Sequence, residues 1–213
     1  MQSIVARLRK LTQVHGLFVA VFSLVALCPK RALGHLVTTG AGPFYDGVAH
    51  FFVSLDDLLV VVALALFSGL LGKPTARGLV LVLPVAWMSG MFAGSFLAES
   101  TLAGPWFTSI TLMLAGLMLA ISPPIPKLGF ASLACLIGFV HGIWNGAAMR
   151  ATDTSWLATL GIITSAWVIA IILGASAVLV QQAWQKIALR VIGSWVAAIG
   201  LLSLAWELRA YVN

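Results

Sequence analysis

The chain has 213 residues, 61% of them hydrophobic and 8% charged, with a mean hydropathy of +1.07. A soluble domain carries about 25% charged residues, so this composition excludes one and makes lipid the solvent. The net charge of +6 does not describe a nucleic-acid binder: Arg7, Arg9, Lys10, Lys30 and Arg31 all precede His35, and beyond it cations and acids nearly balance.

Residues 1–34 read as a signal peptide: a basic start, an apolar stretch from Leu17 to Cys28, and the small residues Ala32 and Gly34 ahead of a cut that would leave His35 first. A lipoprotein cut before Cys28 is disfavoured by Leu27, which stands where a small residue is needed. With only Cys28 and Cys135, neither a disulfide framework nor a thiolate metal site is supported.

Residues 35–54 form an extracytoplasmic metal-capture segment, expected to be extramembrane or re-entrant because Gly40, Gly42 and Pro43 break it. Residues 55–213 then read as a six-helix transmembrane domain, with spans near Leu58 to Leu71, Leu79 to Leu97, Phe107 to Ile121, Leu128 to Met149, Trp156 to Val180 and Ile187 to Leu208. The expected fold is therefore an all-α integral membrane protein, a six-transmembrane-helix bundle after an N-terminal signal peptide. The loops with Lys73 and Arg77, with Lys127, and with Lys186 and Arg190 alternate with loops poor in cations. The positive-inside rule makes the former cytoplasmic and the mature N-terminus extracytoplasmic, in a bacterial cytoplasmic (inner) membrane. Trp106, Trp156 and Trp206 sit near outer span ends, as interfacial anchors do.

Charges and imidazoles are costly in lipid, so the few near the spans are candidates for function. Asp46, His50, Asp56 and Asp57 are the densest group. On one continuous helix, positions 46, 50 and 57 would fall within about 40° of each other and offer carboxylate, imidazole and carboxylate to a divalent cation such as Ni²⁺, Co²⁺ or Zn²⁺. Helix capping by Ser54 and Asp57 is the structural alternative. His141 and Asn145 form the second group, four apart on one helix face, beside a line of Gly138, Gly142 and Gly146 suited to close helix packing. Met88 and Met91 read as core filling.

The string Gly42-Pro43-Phe44-Tyr45-Asp46-Gly47, followed by His50, Ser54 and Asp57-Leu58-Leu59, resembles the HupE/UreJ family of hydrogenase and urease accessory membrane proteins, as do His141, Gly142 and Gly146. Two positions depart from the family pattern: Asp57 stands where better-known members carry His, and Ala148 where they carry Glu. The resemblance implies nickel or cobalt transport. The expected function is then a divalent-metal permease without a permanent cofactor, capturing its ion through His35, Asp46, His50, Asp56 and Asp57 and passing it to His141 and Asn145. Its expected partners are the metal ion and the lipid bilayer. The alternatives are a membrane metal-binding accessory or sensor that does not transport, a b-type haem protein using His50 and His141, and a rhomboid-like protease using Ser176. The last lacks a general base, since no histidine follows Ser176.

Overall fold

Gly42 and Pro43 begin a helix instead of ending helical structure. Gly42 adopts φ 106°, a left-handed backbone that turns the chain, and Pro43 supplies the fixed φ that suits a first helical residue. The computed structural model describes residues 38–97, 106–151 and 155–212. The signal peptide read over 1–34 and the candidate ligand His35 lie outside these residues.

Seven helices and no strand occur among the described residues: α1 Pro43–Val53, α2 Leu55–Leu70, α3 Lys73–Gly94, α4 Trp106–Ile121, α5 Lys127–Ala151, α6 Trp156–Val178 and α7 Ala183–Val212. The all-α expectation holds. Of the six expected spans, the described residues show four outright and a fifth as a bent pair. By length and composition α3, α5, α6 and α7 can each cross a membrane, and α1 with α2 pass the same test only as a pair bent by 75° at Ser54. The described part of the sixth, α4, has 16 residues, about 24 Å of helix. Apolar counting along the sequence could not see that the first span begins in a broken helix, because the break depends on one residue's backbone. Ser54 has φ −76° and ψ 88°, outside the helical region.

Packing explains why α2 shows no apolar stripe. Its middle, from Val60 through Gly69, is buried almost throughout, as expected for a helix surrounded by others. α1 and α2 lie on α6, α3 on α5, and α4 on α7. Glycines make all of these approaches, with Gly116, Gly193 and Gly200 doing so between α4 and α7. Along α3 and α5, a Cβ on Gly90, Gly94, Gly142 or Gly146 would run into backbone of the facing helix, and between α1 and α6 the same holds for Gly47 and Gly161. The expected glycine packing line on α5 is therefore present, and it faces α3. Close backbone approach replaces the hydrophobic drive that helices lack in lipid. Trp87, Phe51, Phe67 and Phe130 fill the core. By contrast, Trp184, Trp195, Leu202 and Trp206 leave most of their surface exposed on α7, a face made for acyl chains.

Candidate metal-binding site

The bend at Ser54 sets up the polar centre of the bundle. It stops α1 after His50 and Val53, then starts α2 so that Asp56 and Asp57 occupy its first turn. Asp57, 4% exposed, is turned inward to α5. Its Oδ1 lies 2.7 Å from His141 Nδ1, and its Oδ2 accepts from Asn145 Nδ2 at 2.8 Å. Asn145 Nδ2 also donates to the His141 carbonyl at 3.0 Å. The four-residue spacing of His141 and Asn145 thus gives one carboxylate two partners from a single helix face. Helix capping is not what occupies this carboxylate, and the Ser54 side chain makes no cap bond; its hydroxyl lies 3.4 Å from His50 Nε2.

The other side of His141 is fixed by α4. Thr111 Oγ1 lies 2.8 Å from His141 Nε2 and donates its own proton to the Thr108 carbonyl at 2.8 Å. A hydroxyl has one proton, so with that proton on Thr108 the imidazole Nε2 donates to Thr111. Nδ1 meets a carboxylate oxygen, so a proton sits in that contact as well. His141 is fully buried, with Trp87 at 5.4 Å between ring centroids. A buried polar pair survives in lipid only when its remaining donors and acceptors are met, and here Thr111 and Asn145 meet them.

In front of Asp57 lies an open cavity of about 150 Å³ lined by His50, Ser54, Asp56, Asp57, Thr108, Trp144, Asn145 and Ala148. Oxygen or nitrogen atoms of Asp56, Asp57 and His141 lie within 4.8 Å of one another. Asn145 Oδ1 is buried without a hydrogen-bond partner. An unmet acceptor beside two carboxylates and an imidazole is what an arriving cation would complete, and this oxygen-rich, thiolate-free set suits a divalent ion of the nickel, cobalt or zinc kind.

Sequence-singled residues therefore separate. His50, Asp56, Asp57 and Asn145 share the cavity, and His141 stands behind Asp57 and holds it. Asp46 is elsewhere: it accepts from the Thr39 amide and hydroxyl, both at 2.6 Å, in exposed surroundings. The single helix face expected for positions 46, 50 and 57 is interrupted by the bend. Neither minor alternative gains support from the geometry. Both His141 nitrogens are engaged, and the cavity is smaller than the roughly 300 Å³ at which cofactor pockets begin, which fits no haem. Ser176 donates to the Ile172 carbonyl on an exposed part of α6, and it does not line the cavity.

Four contributors were not singled out from the sequence. Thr108 and Thr111 fix or face the site, while Ser109 Oγ lies 3.0 Å from both carboxylate oxygens of Glu207 on α7. Glu207 is also within electrostatic reach of Asp56. The signal available was the run Thr108-Ser109-Ile110-Thr111 opening an otherwise apolar helix.

These features define a class: a multi-pass helical membrane protein with a polar centre open to one end of the bundle. Within that class the family is shown. The model of the HupE / UreJ protein family matches residues 22–203, and the chain belongs to that family. No curated protein and no solved structure matches it.

Proposed function

We propose that the protein is a membrane permease or facilitator for a divalent transition metal, nickel first and cobalt or zinc next, that supplies metalloenzyme maturation. The observation that carries this reading is the cavity lined by His50, Asp56, Asp57 and Asn145, whose own Oδ1 is buried without a partner. In it the metal is cargo. Asp57 and Asp56 supply the charge, His50 and Asn145 complete the donor set, and His141 orients Asp57 as an outer partner orients a metal ligand. For His141 itself to bind the ion, a ring proton must leave, because both nitrogens are engaged by Asp57 and Thr111.

The cavity sits at the end of the bundle opposite Lys73, Arg77, Lys127, Lys186 and Arg190, an end that the positive-inside rule makes extracytoplasmic. In a bacterial cytoplasmic membrane the ion would then enter from outside. The sequence has no P-loop, and a negative-inside potential supplies about 2.3 kcal/mol per charge per 100 mV. The accessory or sensor reading is favoured by one observation: His141 is fully buried beside Trp87, so passage beyond Asp57 requires side chains to move.

Uptake of ⁶³Ni²⁺ into proteoliposomes distinguishes the two. The permease reading expects flux above empty vesicles that falls at least tenfold in His50→Ala and in Asp57→Asn, with Co²⁺ and Zn²⁺ competing. Metal binding without flux would transfer the site to an accessory role, and absence of both would remove the metal from the proposal.

A further inference from the structure

At the far end of the bundle from the metal site, a cavity of about 400 Å³ opens between the first two turns of α3 and the last turns of α6. Its floor is made of small residues, Ala76, Ala170 and Gly174, and Ile171 and Val178 form apolar walls. Lys73 and Arg77 are the charged residues that line it. They stand four apart, so they share one face of α3. Both are exposed, and neither has an acidic partner among the described residues. The compensation is missing from the sequence as well: α3 has no Asp or Glu, and α6 has no charged residue at all.

Two uncompensated cations above an apolar slot describe the shape of one ligand, an amphiphile with an anionic head. We propose that this cavity is a binding site for an anionic phospholipid, with the headgroup phosphate on Lys73 and Arg77 and the start of an acyl chain over Gly174. Charge complementarity selects this occupant. A metal cation is repelled by the rim, and a free anion gains nothing from the apolar walls. The backbone adds to the same field, because α3 begins at Lys73 and the positive end of its dipole favours negative charge. Basic clefts between transmembrane helices on the cation-rich side hold lipid headgroups by the same physics. Ala175 also lines the cavity and is exposed, so a larger side chain at that position would occupy the slot.

The test uses the full chain in detergent, with native mass spectrometry to count retained phosphatidylglycerol or phosphatidylcholine. Wild type is expected to retain phosphatidylglycerol selectively. The double variant Lys73→Gln/Arg77→Gln should weaken that retention about 30-fold while leaving phosphatidylcholine unchanged. Ala175→Leu, which keeps both cations, should reduce phosphatidylglycerol retention by blocking the chain, with circular dichroism and elution volume unchanged. Equal retention of the two lipids, or unchanged retention in the double variant, would overturn the proposal. Inorganic phosphate stabilising the protein as much as phosphatidylglycerol would make the site one for a free anion and overturn it too. So would a dimer that Ala175→Leu dissociates without any retained lipid, which would assign the groove to a second copy.

Discussion

Nδ1 of His141 stands 2.7 Å from Oδ1 of Asp57, joining the middle of α5 to the first turn of α2 across 84 positions of sequence. The pair is inaccessible to water on the histidine side and nearly so on the other. Removing one member leaves a buried ionisable group alone, a change that costs about 3–5 kcal/mol. His141→Ala should therefore lower the thermal midpoint in detergent sharply, in a melt followed by circular dichroism. Thr111→Val, which preserves shape and deletes only the acceptor for Nε2–H, should cost about 1–3 kcal/mol. An unchanged midpoint in Thr111→Val would show that the Thr111 contact does not hold the imidazole.

The two acidic residues of the entry region should behave oppositely. Asp57 lines the cavity and Asp46 is tied to Thr39 outside it. In a nickel-binding titration, Asp46→Asn should change affinity less than twofold, while Asp57→Asn and His50→Ala weaken it at least tenfold. Equal losses at positions 46 and 57 would require Asp46 to swing into the site.

Glycine substitutions should divide by position. A Cβ at Gly142 would collide with the Trp87 carbonyl, whereas at Gly174 it makes ordinary contacts. Gly142→Ala should destabilise by about 1–3 kcal/mol through forced separation of α3 and α5. Gly174→Ala should leave the midpoint unchanged or slightly raised. Melting the two variants side by side checks this, and a Gly142→Ala variant as stable as wild type would mean that the helices part without cost.

Glu207 offers a test of entry as opposed to binding. It is held by Ser109 and lies near Asp56, so its charge adds to the field that draws cations inward. Glu207→Gln should slow initial metal uptake a few-fold at low ionic strength. The difference should shrink as salt rises toward a Debye length of ~8 Å. A deficit independent of salt would point to a structural role through Ser109.

Composition alone established that this chain lives in a membrane, because 8% charged residues cannot cover a soluble surface. Local spacing went further. Gly138, Gly142 and Gly146 recur at four residues and do form a packing line, and His141 and Asn145 do share a face, since helix geometry is fixed by the backbone and needs no partner. The motif around Asp46 and His50 led to the family that the chain belongs to.

Tertiary structure alone decided the rest. A rotation at Ser54 separates Asp46 from Asp57, and no periodicity argument can see a rotation confined to one residue's dihedrals. Which carboxylate faces the interior depends on α5 and α4 arriving beside α2, so the engagement of Asp57 by His141 and Asn145, and the locking of His141 by Thr111, were invisible at separations of 84, 88 and 30 residues. The cation pair Lys73 and Arg77 read from sequence as a topological marker, and became the rim of a cavity only because α6 brings small residues opposite it. Sequence sets what each helix can bury, but a polar centre in lipid is an agreement among several helices, and its members are chosen by which side chains meet.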